Sequence, residues 1–156
     1  MRKKGKWLLI LLIAFILIQF IQPARNQSGQ VLQTDITQMF ATPANVKTSL
    51  KSSCYDCHSN NTYYPWYVNI QPVGWWLASH IKEGKAELNF SEFGTYTQRR
   101  QLSKLRSVEN SIKDGDMPLS SYTFIHTNAR LTKEEKAKII EWVRAIRDSL
   151  GNNNKE

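Results

Sequence analysis

A chain of 156 residues with 41% hydrophobic content has room for one domain and a leader, and too little for two good cores. Its two cysteines fall far below the density of a disulfide scaffold. The formal charge of +8 would fit a nucleic-acid binder. However, Arg2, Lys3, Lys4 and Lys6 precede the first acidic residue, Asp35, and without them 17 basic residues face 13 acidic ones, which speaks against a nucleic-acid partner.

The chain opens on an apolar run, Trp7 to Ile21, broken only by Gln19. Basic residues ahead of such a run mark an export signal. As a helix the run spans about 22 Å, short of the ~30 Å hydrocarbon core unless flanking side chains snorkel. Gln22-Pro23-Ala24 departs from the small-residue pattern of a cleavage site. Residues 1–22 are therefore expected to remain as a transmembrane anchor, with a cleaved signal peptide as the alternative. The positive-inside rule then keeps the N-terminus in the cytoplasm and places the rest in the periplasm, held at the inner membrane or, after cleavage, free of it. No cysteine lies near the leader, which excludes a lipoprotein. Residues 23–41 are expected to form a polar tether that supplies reach rather than chemistry.

The domain is expected over residues 42–151. Thr42-Pro43 reads as an N-cap followed by proline at the first helical position. Val46, Leu50 and Cys54 recur every fourth residue and lead into Cys54-Tyr55-Asp56-Cys57-His58. Residues 60–71, NNTYYPWYVNIQ, read as an ordered aromatic loop interrupted by Pro65. Pro72 opens a helix carrying Val73, Trp75, Trp76, Leu77, His80 and Ile81, with Gly84 expected as its left-handed cap. Residues 89–93 resemble a short capped turn. An amphipathic helix over 97–113 follows, with Leu102, Leu105, Val108 and Ile112 on one face, stopped by Asp114-Gly115-Asp116. A loop from Met117-Pro118-Leu119 passes through Tyr122, Phe124 and His126. Thr132 to Glu135 is a capping box that starts the last helix, carrying Ile139, Ile140, Trp142, Val143, Ile146 and Leu150. Residues 152–156 are expected to fray. No alternating strand pattern appears, so the fold class is all-α.

A C-x-x-C pair followed at once by histidine is the attachment signature of a c-type haem. Cys54 and Cys57 lie on one side of a helical turn, as two thioether bonds require, and His58 is next in line for the iron. A thioredoxin-like pair would follow a strand, which this sequence lacks. Structural zinc needs four ligands, for which Cys54, Cys57, His80 and His126 are available, but His58 is then incidental. One covalent haem c therefore accounts for most. Tyr64, Trp66, Trp75 and Trp76 are candidates to pack on it, with Trp75 and Trp76 facing different neighbours. His58 is expected to fix its second ring nitrogen on a backbone carbonyl or similar partner. Met117, in an interhelical Gly-Asp-Met-Pro setting, is the expected sixth ligand, with His80 and His126 as alternatives. Lys47, Lys51, Lys82 and Lys85 read as solvated helix faces, with steering of acidic redox partners as the alternative.

At two scales the residues resemble known proteins. The order helix, C-x-x-C-H, Met-Pro, terminal helix is similar to a class I cytochrome c. The finer pattern SCYDCHSN (53–60), YPWY (64–67), NIQPVGWWL (69–77), HIKEG (80–84), NFS (89–91) and MPLSSY (117–122) resembles the bacterial haem-binding domain family. That resemblance covers about residues 43–150 and implies c-type haem on Cys54, Cys57 and His58. The expected function is an anchored monohaem cytochrome that exchanges electrons with redox partner proteins. The alternative is a peroxidase-like enzyme or gas sensor with an open distal position, assisted by His80, His126 or Arg99.

Overall fold

The computed structural model describes residues 3–152, and no strand forms among them. Helix α1 runs Lys3–Ile18, α2 Ile36–Met39, α3 Ala44–Ser53, α4 Tyr55–His58, α5 Val73–Glu87, α6 Gln98–Asp114, α7 Ser120–Ile125 and α8 Lys133–Asn152. Short 3-10 turns at Trp66–Asn69, Phe90–Thr95 and Thr127–Ala129 link them. The sequence expectation of an all-α domain therefore holds. The frayed tail lies, from residue 153 on, outside the described residues, and Asn152 still belongs to α8.

Local chemistry sets the ends of the helices. Thr132 and Glu135 exchange hydrogen bonds, Glu135 N to Thr132 Oγ1 at 3.2 Å and Thr132 N to Glu135 Oε2 at 2.8 Å, which satisfies two free donors at the start of α8. Thr97 caps α6, and Gly115 ends it at φ 80°, a left-handed conformation that costs glycine nothing. Two other caps differ from expectation. Helix α3 begins at Ala44 with Pro43 as its cap residue, and the Thr42 hydroxyl turns back to Phe40 O. Gly84 does not end α5, which continues to Glu87. A Cβ there would stand 2.8 Å from the Cys57 carbonyl oxygen, so glycine serves close packing of α5 on α4.

The core is a bundle of α3, α6 and α8. Leu50, Leu105, Ile112, Ile139, Trp142 and Val143 are buried together, and Phe90 and Phe93 of the second 3-10 turn close one end. Phe93 is wholly buried between Phe40 and Tyr96, at ring-centroid distances of 6.3 and 5.9 Å. Across α6 and α8, buried Glu109 accepts from Lys113 at 2.6 Å, Arg144 at 2.6 Å and Arg147 at 2.8 Å. Hydrogen bonds from Arg144 and Lys113 hold its carboxyl at about 2, well below the usual range.

The segment expected as a tether is instead tied to the domain. Asn26 donates to Ser59 O and Thr62 Oγ1, Ser28 N to Asn60 O, and Gln27 pairs with Asn61 in an isolated antiparallel bridge. Asp35 caps α2, accepts from Tyr55 Oη at 2.9 Å, and precedes Ile36, which is fully buried in the core. Polar composition here reflects paired hydrogen bonds, not freedom.

The leader also departs from expectation. Helix α1 has 16 residues, about 24 Å of rise, and no described helix is long and apolar enough to cross a membrane. The transmembrane anchor expected from the sequence is therefore not found as a spanning helix. Past Ile18 the chain turns and binds the domain: Gln71 N donates to Gln19 Oε1 at 2.8 Å, Gln71 Nε2 to Gln22 Oε1 at 2.9 Å, and Trp75 Nε1 to Ile21 O at 2.7 Å.

Candidate functional site

Helix α3 delivers Cys54 with its N–H bonded to Leu50 O at 2.9 Å, and the backbone then kinks (φ −128°) into α4. Cys57 N and His58 N both bond to Cys54 O, at 3.2 and 3.0 Å, so the motif forms one helical turn, and both cysteines border the same cleft. Neither cysteine is in a disulfide. Burial raises both thiols, Cys54 to about 12 with a lesser push from Cys57, and Cys57 to about 11 with a lesser push from Asp56. Thiol exchange proceeds through the thiolate, the form that burial disfavours at both positions.

His58 is fixed from behind. Its Nδ1 lies 3.0 Å from Leu88 O, and Phe90 stands edge-on at 6.2 Å. A carbonyl oxygen only accepts, so Nδ1 carries the proton and Nε2 keeps its lone pair for a metal. This is the backbone partner expected for the ring, supplied from the loop after α5.

Three adjoining clefts meet at the motif. The middle one, about 350 Å³, is bordered by Cys54, Cys57, His58, His80, Met117 and Tyr122. A second, about 210 Å³, shares Cys54, His58 and Met117 and runs along Phe90, Val108 and Ile112. A third, about 50 Å³, shares Cys57, His80 and Tyr122 and is walled by Tyr67, Trp76, Ile125 and His126. A long groove with mainly apolar walls thus lies beside two thiols and an imidazole with a free nitrogen. Its walls and donors suit a flat apolar macrocycle carrying an iron.

Of the candidate sixth ligands, Met117 borders both clefts that contain His58. His80 borders the middle cleft, with Nδ1 2.9 Å from Trp76 O and its ring on Trp76 at 4.3 Å. His126 is engaged elsewhere: its Nε2 lies 2.6 Å from Tyr67 Oη, its ring stacks on Tyr122 at 4.4 Å, and it borders the small cleft alone. Among the aromatic candidates Trp76 lines a cleft, whereas Trp75 bonds to the leader and Trp66 is exposed. Tyr64 accepts from Asn26 N and carries Arg25 on its ring at 4.4 Å, away from the motif. Arg99 is exposed and borders none of the three clefts, while Lys82 and Lys85 border a different one, with Arg25. Lys47 and Lys51 are exposed on α3.

The zinc alternative lacks its donor set. Cys57, His80 and His126 border one small cavity, yet among the described residues no three Cys, His, Asp or Glu side chains converge to hold a metal ion.

Leu88, Gly84, Tyr122 and Asp56 complete the site in roles that the sequence does not assign them. Tyr122 Oη donates to Asp56 Oδ2 at 2.7 Å and Tyr63 N to Asp56 Oδ1 at 2.9 Å, binding α7 and the aromatic loop to the middle of the motif. Spacing alone marked Asp56 only as one of the two residues between the cysteines.

An all-α domain with an apolar groove laid against a Cys-Cys-His turn is the architecture of a haem protein. The chain matches the haem-binding domain family over residues 13–145 and belongs to it. The match begins inside the leader, so it includes the docked segment before α3 as well as the motif. No curated protein and no solved structure matches the chain.

Proposed function

We propose that this haem-binding protein is a monohaem c-type cytochrome that passes electrons between partner proteins outside the cytoplasm. Cys54 and Cys57 would hold the haem covalently, and His58 and Met117 would ligate its iron. The observation that carries the reading is the Leu88 O to His58 Nδ1 contact at 3.0 Å, which frees Nε2 beside two thiols in clefts that Met117 also borders.

Such an iron, when bound, alternates between ferrous and ferric states. The chain does the rest. Leu88 O fixes the ring plane of His58 and raises its basicity. Phe90, Val108, Ile112 and Leu119 supply apolar walls that exclude water from the iron's surroundings. The Met117 thioether, a soft ligand, favours the reduced state relative to a second imidazole. The α1 run carries the domain to a membrane and out of the cytoplasm, where cysteine attachment of haem takes place.

The test is spectroscopic. The full chain, produced in cells competent for cytochrome c maturation, is expected to keep its haem through denaturing electrophoresis and to lose it in Cys54→Ser/Cys57→Ser. Met117→Ala is expected to abolish the weak far-red charge-transfer band of the oxidised protein while leaving attachment intact. A colourless protein sinks the attachment. A reduced wild-type spectrum that is high-spin and shifts with carbon monoxide sinks the Met117 assignment and favours the enzyme or sensor reading.

A further inference from the structure

The apolar run of the leader ends at Ile21, and at that residue it is already fastened to the domain. Trp75 Nε1 donates to Ile21 O at 2.7 Å, and Gln19 and Gln71 exchange two hydrogen bonds, Gln71 N to Gln19 Oε1 and Gln19 Nε2 to Gln71 O. Gln71 is fully buried, its side chain held by Gln22 Oε1 and by Trp75 N. No slack separates the last apolar residue from the start of α5. Whatever apolar phase accepts the leader, the surface around Gln71 stands at its boundary.

That surface is apolar. Ile70 and Val73 flank Gln71 and are 40% exposed each. Val73, Tyr67 and Ile125 border one small cavity, Trp66 sits edge-on to Tyr67 at 6.0 Å, and Phe124 precedes Ile125. Trp66 is 75% exposed and Phe124 79%, the kind of large amphipathic and aromatic side chains that settle at a headgroup boundary. Charge agrees with this. Where the leader joins the domain, Arg25, Lys82 and Lys85 border a cleft of about 310 Å³, a basic site suited to anionic headgroups.

We infer that the haem domain lies directly on a lipid surface, with Trp66, Ile70, Val73, Phe124 and Ile125 in the headgroup boundary and Arg25, Lys82 and Lys85 over anionic lipid. This rests on the membrane part of the proposed function. The domain does not swing on a tether, and the groove beside α7 is held at one height above the bilayer.

Spin-label accessibility tests it. The full mature chain is reconstituted in vesicles of phosphatidylcholine and phosphatidylglycerol, with a nitroxide at Trp66→Cys or Phe124→Cys, and at Asn110→Cys, an exposed position on α6, as the reference. Collision with oxygen, which is enriched in lipid, and with a water-soluble nickel chelate is measured. The oxygen-to-nickel ratio at 66 and 124 is expected to exceed that at 110 several-fold. Equal ratios in vesicle-bound protein overturn the inference and leave the membrane reading standing. A chain that does not float with vesicles overturns both. Protection from both reagents, with spin–spin broadening, overturns it in favour of a second copy of the chain on this face. Unsubstituted protein is expected to take no label, because both native cysteines are thioethers. If it labels, the covalent attachment is wrong, and the same comparison is read in Cys54→Ser/Cys57→Ser.

Discussion

The α3–α6–α8 bundle and the α5–α7 side draw on the same kinds of side chain and finish differently. In the bundle, Leu50, Leu105, Ile139 and Val143 are covered on every side, and a buried carboxylate between α6 and α8 is matched by three cations. On the other side Met117, Trp76, Ile125 and Phe124 remain exposed around the clefts and along the surface beside them. Isolated exposed apolar residues need no explanation, but a run of them bordering a groove does. The bundle is complete as protein. The α5–α7 side leaves apolar surface open around the groove.

Truncating the bundle should break this contrast hardest. Phe93→Ala removes a wholly buried ring and is expected to cost about 3–5 kcal/mol, read as a fall in the midpoint of chemical denaturation. Gly84→Val tests the seam between the two regions. Its Cβ would meet Cys57 O at 2.8 Å, so an overpacking cost of about 1–3 kcal/mol is expected, together with reduced haem incorporation measured per mole of protein. A variant that folds and fills normally would show that α4 and α5 separate freely.

A smaller effect belongs to pH. The Glu109 carboxyl sits at about 2 in the folded chain against an ordinary 4.5, so its contribution is complete above about pH 4.5 and is lost as pH falls toward 2. Thermal melts of Glu109→Gln should therefore lose part of the decline seen in wild type over that window, the remainder coming from Glu134 and Glu135, whose carboxyls are also lowered. The smallest change is expected at the exposed rim: Trp66→Ser should alter stability in solution by no more than about 0.5 kcal/mol, while weakening vesicle binding.

The sequence revealed the haem-binding family, the all-α class, the capping box at Thr132 and the stop at Gly115, because each is written in the residue types of a few neighbouring positions. What it hid depends on distant partners. The carbonyl that fixes His58 comes from Leu88, thirty positions on, and any residue there offers the same oxygen. Asn26 and Ser28 have the composition of a flexible linker, and only their pairing with residues 59–62 makes them structure. Gly84 carries the signal of a helix end, since crowding by Cys57 is invisible until α4 and α5 meet. Trp75 and Trp76 differ by one position and by about 100° around α5, enough to send one to the leader and the other to the cleft.

The close approach of α5 to Cys57, which Gly84 permits, seals one side of the motif and leaves the other open. The carbonyl of Cys57 lies against α5, while Cys54 and Cys57, both partly exposed, still border the middle cleft. The attachment proposed above would therefore have to approach the sulfurs from the open side of the groove, not through the α4–α5 seam.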